Sequence, residues 1–173
     1  GEAFFFFIPA FLGNCTPIFF AKLKPFCNWN APIDFCKTFR GKRVLGSHKT
    51  IRGFIVGPFF AVLGGFLQYY LVSNSIVETN FDIYFYLTPT IILSFLLGIG
   101  SLVGDSVKSF FKRQIDIAPG KPWLPFDLID FSLGSIVLSF WYFYPGLQIY
   151  IIGIFMNPVL SLLSNIFSKL VGL

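Results

Sequence analysis

Residues 104–130 read GDSVKSFFKRQIDIAPGKPWLPFDLID and lie between two long apolar segments. This short stretch contains half of the acidic residues of the chain, namely Asp105, Asp116, Asp127 and Asp130. A charged side chain at membrane depth costs about 2.5–3.5 kcal/mol on insertion scales, so acids that flank apolar segments need a partner or a function. The stretch therefore combines a membrane-like setting with a concentration of charge that packing alone does not explain.

Cations in the same stretch follow an acid at helical spacing. The positions i, i+3, i+4 and i+7 share one face of a helix, and here they are taken by Asp105, Lys108, Ser109 and Lys112. The pair Asp127 and Asp130 has i, i+3 spacing and can converge in the same way. Carboxylates beside a row of cations are typical of a site that holds a divalent metal ion and phosphate together.

The composition indicates an all-α integral membrane protein. The 173 residues are 55% hydrophobic, 20% aromatic and only 12% charged, with a mean hydropathy of +0.74. A soluble domain has about 25% charged residues. The net charge of +5 does not indicate nucleic-acid binding, because the basic residues lie between apolar segments and form no nucleic-acid-binding motif. The first apolar run lacks a preceding basic region, which argues against a cleavable signal peptide.

We predict about five transmembrane helices in a single domain over 1–173. A span takes about 20 apolar residues, and the candidate segments are roughly 4–21, 53–72, 83–103, 128–144 and 147–167. The first contains Asn14 and Thr16, which indicates that it faces a cavity rather than lipid alone.

The distribution of Lys and Arg predicts the orientation of these spans. Loop 22–52 contains eight basic residues, loop 104–127 contains four, and the connection 73–82 contains none. With five spans, both basic loops and the C-terminus fall on one side of the membrane. The positive-inside rule makes that side the cytoplasm and places the N-terminus outside.

The first basic loop ends in RGKRVLGSHKTIRG, residues 40–53. Its glycines and cations suit a bound phosphate, and they suit contact with anionic headgroups equally well. His48 is the one histidine of the chain; it can act as a general base, a phosphate contact or a structural residue, and no nucleophile or zinc motif accompanies it. We expect Asp34 to pair with a neighbouring arginine. The cysteines are odd in number and are expected to be free thiols: Cys15, Cys27 and Cys36.

These motifs resemble the phosphatidate cytidylyltransferase superfamily. Its closing signature has the form S-x-x-K-R, a variable insert and D-x-x-D, which here is SFFKR at 109–113 and DLID at 127–130. The bacterial branch has His-Gly-Gly before the final acids, whereas this chain has PGKPW at 119–123, as in the archaeal branch, the CDP-archaeol synthases. The segments GD at 104–105, PIDF at 32–35, GKR at 41–43 and HKTIRG at 48–53 are also similar to that branch. Departures from its pattern occur at Cys36, Gln114 and Leu128.

The resemblance implies a CTP-dependent cytidylyltransferase. Its substrates would be CTP and an isoprenoid ether lipid, 2,3-bis-O-(geranylgeranyl)-sn-glycerol 1-phosphate, and its products CDP-archaeol and pyrophosphate. The implied cofactor is Mg²⁺, held by Asp105, Asp127 and Asp130, with Lys112 as a further catalytic residue. The implied substrate-binding residues are Asn14, Thr16, Arg43, His48, Lys49, Thr50, Arg52, Lys108, Ser109 and Arg113.

A second interpretation is a small membrane transporter of anions or phosphorylated solutes. A polar cavity with a basic entrance would serve that function as well. Clustered carboxylates count against it, because a path for anions has little use for three acids. A homodimer is compatible with either interpretation, and the sequence leaves the oligomeric state open.

Overall fold

The computed structural model describes residues 1–22, 29–118, 121, 123–124, 126–156 and 158. Within this part of the chain the protein is built from five α-helices, namely α1 (Glu2–Lys22), α2 (Ile51–Ser73), α3 (Leu87–Gln114), α4 (Asp130–Ser139) and α5 (Leu147–Met156). A short antiparallel hairpin of β1 (Thr38–Phe39) and β2 (Lys42–Arg43) lies between α1 and α2. Single 3₁₀ turns at Asp82–Phe85 and Phe126–Leu128 precede α3 and α4.

The helical membrane fold expected from composition is confirmed, with differences in the lengths of the helices. By length and composition, α1, α2 and α3 can each cross a membrane, whereas the described parts of α4 and α5 are shorter. The number of spans and their orientation therefore remain predictions. Cys27, the residues 119, 120 and 122, and the end of the fifth predicted span lie outside the described residues.

Helix α3 extends beyond its predicted span. Residues 104–114, which we assigned to a loop, continue the helix for about three more turns. Two features stabilise this extension. Asp105 and Lys108 form an i, i+3 ion pair at 3.1 Å, and Lys112 and Arg113 place positive charge in the last turn, where it interacts favourably with the helix dipole. The polar residues thus project from a rigid helix.

Helices α1 to α4 alternate in direction, so their polar ends gather at one end of the bundle. The apolar core lies at the other end, where Phe6 of α1 and Leu93 and Leu97 of α3 are fully buried beside Tyr84. Further along the same helices, Asn14 of α1 and Asp105 of α3 face a cavity. The apolar core and the cavity therefore lie at opposite ends of the same helices.

Glycines allow α3 and α4 to approach closely. A Cβ atom added at Gly134 of α4 would lie 2.7 Å from the Cα of Gly104, and one added at Gly100 would lie 2.6 Å from the carbonyl oxygen of Gly134. Contacts of this kind require small residues on both helices. The close approach brings Asp130, at the start of α4, next to the polar face of α3.

The loop before α2 is organised around Asp34, whose side chain is 1% exposed. Its carboxylate accepts hydrogen bonds from Nε and Nη2 of Arg43, each at 3.2 Å, and from backbone N–H groups of Cys36, Leu45 and Gly46 at 3.0–3.1 Å. Burial alone would raise the pKa of Asp34, but these donors outweigh it and lower the pKa to about 2. The expected pairing of Asp34 with an arginine is confirmed. Arg43 therefore has a structural function in this loop.

Replacing Gly134 by Ala should separate α3 from α4, because the added methyl group would meet backbone atoms that cannot rotate away. We expect a lower melting temperature in detergent and a loss of activity that exceeds the loss of folded protein. The matched control is Val137→Ile, which adds one carbon on the exposed face of α4, where the side chain is 62% exposed. Equal melting temperatures for both variants would contradict the close packing.

Replacing Asp34 by Asn should loosen the loop and remove a pH dependence. Because the folded-state pKa is lowered from 3.8 to about 2, the carboxylate stabilises the loop above about pH 4, and this stabilisation is lost as the pH falls toward 2. This shift in the pKa of Asp34 corresponds to about 2 kcal/mol of free energy that favours the folded loop with the carboxylate ionised.

The measurement is hydrogen exchange at the amides of Cys36, Leu45 and Gly46, corrected for intrinsic rates. Protection should decline between pH 4 and pH 2 in the wild type and be low throughout in Asp34→Asn. Asp82→Asn, at the other end of the bundle, serves as the control and should leave these amides unchanged. Protection in Asp34→Asn that equals the wild type would refute the anchoring function of this carboxylate.

Candidate active site

A cavity of about 550 Å³ opens at the polar end of the bundle. It is lined by α1, by the loop into α2 and the first turn of α2, by α3, and by the segment that begins α4. Nine of the residues predicted as site residues line it: Asn14, His48, Lys49, Thr50, Arg52, Asp105, Lys108, Asp127 and Asp130. Residues far apart in the sequence thus meet in one place, as the metal-and-phosphate hypothesis requires.

The three carboxylates of this cavity converge on the ammonium of Lys108. Its Nζ lies 3.1 Å from Oδ1 of Asp105 and 3.2 Å from Oδ1 of Asp127, and it forms an ion pair with Asp130. The Lys108 side chain is only 16% exposed. In these surroundings the charges are screened much less than at a surface, so each carboxylate needs a cation close by.

Two more lysines complete the ion-pair network. Lys49, from the loop before α2, pairs with Asp105. Lys112, one turn beyond Lys108 on α3, lies 3.2–3.3 Å from the carboxylate oxygens of Asp127 and also donates to the carbonyl oxygen of Lys121. Three carboxylates are therefore matched by three ammonium groups. We refer to these six side chains, Asp105, Asp127, Asp130, Lys49, Lys108 and Lys112, as the charge network.

Asp127 is held in place by the chain around it. It lies in the 3₁₀ turn Phe126–Leu128 and accepts a hydrogen bond from the backbone N–H of Trp123. Burial raises the pKa of Asp127, but the Trp123 N–H and the ammonium groups of Lys108 and Lys112 outweigh this effect and lower it. The carboxylate is therefore ionised at neutral pH and available as a ligand for a cation.

The loop into α2 places the remaining cations. The hydroxyl of Thr50 caps α2 by accepting from the backbone N–H of Gly53 at 3.2 Å. Arg52, in the first turn, is 3% exposed and lines the cavity, and His48 and Lys49 lie just before the cap. Thr50 therefore has a structural function that fixes the direction in which its neighbours enter the site.

Ser109, Lys112 and Arg113 line a smaller adjoining cavity of about 160 Å³. This cavity shares His48, Lys49, Asp105 and Lys108 with the larger one. The Ser109 hydroxyl donates to the carbonyl oxygen of Asp105 at 2.8 Å, and Nη1 of Arg113 donates to that of Ile117 at 2.5 Å. The two basic cavities thus share part of their lining, including the Lys108 side chain.

Two predicted substrate contacts lie apart from both cavities. The Thr16 hydroxyl donates to the carbonyl oxygen of Leu12 at 2.7 Å, which is the usual back-bond of a threonine within a helix. Arg43 is engaged by Asp34 in the loop.

Several apolar residues that the sequence reasoning missed also line the larger cavity, among them Cys15, Ile18, Phe54, Leu102 and Phe131. Helical spacing from Asn14 would have indicated Ile18. The others carry no signal that separates a cavity wall from ordinary core.

The donor set fits a divalent cation. Among the described residues, no three Asp, Glu, His or Cys side chains are placed as a ready metal-ligand group. The three carboxylates instead surround one ammonium at ion-pair distance. Carboxylate oxygens are the ligands that hard cations such as Mg²⁺ and Mn²⁺ prefer. A cation that took the position of this ammonium would find oxygen donors on several sides.

Comparisons with known proteins identify the family of this chain. Residues 2–173 match the family model described as CarS-like CDP-archaeol synthase. The CDP-archaeol synthase of Thermofilum pendens is 31% identical over 96% of this chain and 75% of its own length. That of Methanococcoides burtonii is 31% identical over 95% of this chain and 96% of its own length.

A solved structure described as an intramembrane enzyme for archaeal membrane lipids biosynthesis is also similar. It superposes with a TM-score of 0.75 and 26% sequence identity, covering 95% of this chain and 93% of the solved chain. The family model, the relatives and the solved structure each cover nearly the whole sequence. The chain therefore belongs to the CDP-archaeol synthase family of membrane cytidylyltransferases.

Proposed function

We propose that the cavity transfers the cytidylyl group of CTP to the phosphate of an isoprenoid ether lipid, 2,3-bis-O-(geranylgeranyl)-sn-glycerol 1-phosphate. The products are CDP-archaeol and pyrophosphate. The observation that supports this most directly is the charge network, because its carboxylates suit a metal ion and its lysines suit a polyphosphate within the same 550 Å³ cavity. Similarity to named CDP-archaeol synthases supports the choice of substrates.

The reaction needs little acid–base chemistry from the protein. A lipid phosphate oxygen is already an anionic nucleophile; it forms a bond to the α-phosphorus of CTP while the bond from that phosphorus to the β-phosphate bridging oxygen breaks. The electron pair leaves with pyrophosphate. The protein has to bring two anions together, hold them in line and stabilise the charge that develops. No general base is required, so His48 is best assigned to binding.

The basic residues of the two cavities bind the phosphate groups of the substrates. Lys49, Lys108 and Arg52 line the larger cavity, and Lys112 and Arg113 line the smaller one. Together they offer several cationic donors, which is what the charge of a triphosphate requires. Asp105, Asp127 and Asp130 would hold Mg²⁺, which when bound supplies neutralisation of phosphate charge.

We propose that the cavity faces the cytoplasm and that the lipid tails stay in the bilayer. The helices present large apolar side chains outward, such as Phe59 and Phe66 of α2 and Phe95 of α3, which is what lipid contact requires. The site lies at the end of the bundle that carries both basic loops. CTP would then enter from water, and the lipid phosphate would reach the site from the membrane surface.

The transporter interpretation is less well supported. It explains a basic entrance but gives no function to three carboxylates at the point where the cations meet. The relatives named above are synthases rather than transporters.

A transferase assay tests the proposal. Purified protein is incubated with CTP, Mg²⁺ and the geranylgeranyl ether lipid, and lipid-linked CMP and pyrophosphate are measured together. We expect equal amounts of both products, and little product when an ester phosphatidic acid replaces the ether lipid. Protein that binds both substrates and yields neither product would contradict the proposed reaction.

Within this assay, Asp130→Asn should lower turnover by at least about a hundredfold, because it removes a ligand charge directed at the reacting phosphates. The fold should persist, since the amide has the size of the carboxylate. Asp116→Asn is the matched control: its side chain is 77% exposed, it pairs with Lys42, and it should retain wild-type turnover. Near-normal turnover in Asp130→Asn would remove Asp130 from the catalytic set.

A further inference from the structure

Lys108 touches all three carboxylates of the charge network. Among the described acidic residues, Lys49 forms an ion pair with Asp105 only and Lys112 with Asp127 only, whereas Lys108 forms ion pairs with Asp105, Asp127 and Asp130. Its ammonium therefore occupies the point at which carboxylate oxygens from α3, from the 3₁₀ turn and from α4 converge. A cation bound by the three acids would need the same point.

We propose that Lys108 is a positioning residue that competes with the divalent cation for these carboxylates and gives way only when nucleotide phosphate is present to receive its ammonium. The inference rests on the proposed function, in which the three acids hold the metal ion. Nucleotide and metal ion would then bind with positive cooperativity, and each would be held weakly without the other.

The balance of charge favours this exchange. The network contains three carboxylates and three ammonium groups, and the Lys108 and Lys112 side chains are 16% and 9% exposed. A divalent cation added alone would place two uncompensated positive charges in a poorly solvated site, and a polyphosphate added alone would place several negative ones there. Added together, they largely cancel, so the desolvation cost of one ligand is reduced by the other.

The position of Lys108 permits the movement. Its side chain lines both the larger and the smaller cavity, so it lies on the wall between them. A lysine carries its charge on a flexible four-carbon side chain. Rotation about the bonds of this side chain can move the ammonium from the acids to an anion in either cavity. No change of the α3 backbone is needed.

Binding of Mn²⁺ without nucleotide provides the test, with free Mn²⁺ counted by electron paramagnetic resonance. Lys108→Met should bind Mn²⁺ at least about tenfold more tightly than the wild type, since the competing cation is gone. Lys108→Arg, which retains the charge, should stay close to the wild type. The control Lys42→Met removes an ammonium that pairs with Asp116 outside the cavity and should change nothing.

A second readout follows the cooperativity itself. The affinity for CTP is measured by calorimetry in EDTA and in saturating Mg²⁺. The gain in affinity due to Mg²⁺ should be large in the wild type and about tenfold smaller in Lys108→Met. An equal gain in both proteins would overturn the inference.

Removing Lys108 leaves three acids close together and can destabilise the fold, so thermal unfolding with and without Mg²⁺ gives a further check. Mg²⁺ should raise the melting temperature of Lys108→Met, and of Lys108→Gln, by more than that of the wild type. An equal or smaller rise in both variants would contradict competition at this position.

The outcomes separate the inference from the proposed function. Suppose that Lys108→Met binds Mn²⁺ no more tightly than the wild type while Asp130→Asn abolishes binding. The acids then form the metal site, and the inference that Lys108 competes with the metal ion is wrong. If Asp130→Asn changes Mn²⁺ binding in neither background, the metal site itself is wrong, and the inference is overturned with it.

Discussion

Charged side chains that are removed from water must be compensated by partners within the protein, and the arrangement of helices and loops around the cavity follows from this requirement. Asp105, Asp127 and Asp130 lie at the end of an apolar helix bundle, and each is in ion-pair contact with lysine. A buried carboxylate without a partner would cost several kcal/mol, which is a large part of the stability of any domain. The same pairs that make the acids tolerable keep a set of cations ready to receive phosphate, so stability and function use the same residues.

The fold supplies the positions that this network needs. Gly104 and Gly134 allow α4 to lie against α3 closely enough for Asp130 to reach Lys108. Asp34 accepts hydrogen bonds from the loop that contains Lys49 and leads into α2, and it holds this loop in place. Neither the glycine contacts nor Asp34 takes part in the chemistry. Both set distances on which the ion pairs depend, so changes at either place should be felt at the site.

Much of this arrangement could be predicted because it depends on the spacing of residues that are close together in the sequence. The i, i+3, i+4, i+7 pattern that begins at Asp105 requires only that the segment be helical, and α3 runs through it to Gln114. The pairing of Asp34 with an arginine was also predictable, because Asp34 lies in a loop with many basic residues and a cation is therefore always near it.

What could not be predicted depends on contacts between distant segments. Nothing in the sequence singles out Lys108 over Lys112 or Lys49 as the residue at the centre of the acids, because that follows from how α3, α4 and the loop before α2 pack together. The hydroxyls of Thr16 and Ser109 are a separate, local case: the family resemblance implies that they bind substrate, and in the structure both donate to carbonyl oxygens one turn earlier. Local backbone acceptors are always within reach of such a side chain in a helix, and they compete with a ligand. Arg43 likewise belongs to the loop rather than to the cavity.

We propose that the three carboxylates hold the metal ion and that Lys108 leaves them when nucleotide binds. The most direct measurement is a crystal structure with CTP and Mn²⁺, with the metal located by its anomalous scattering. We expect an anomalous peak within ligand distance of Asp105, Asp127 and Asp130, and the Lys108 ammonium within hydrogen-bond distance of a phosphate oxygen. A peak away from these acids, or an ammonium of Lys108 that still contacts all three, would contradict it.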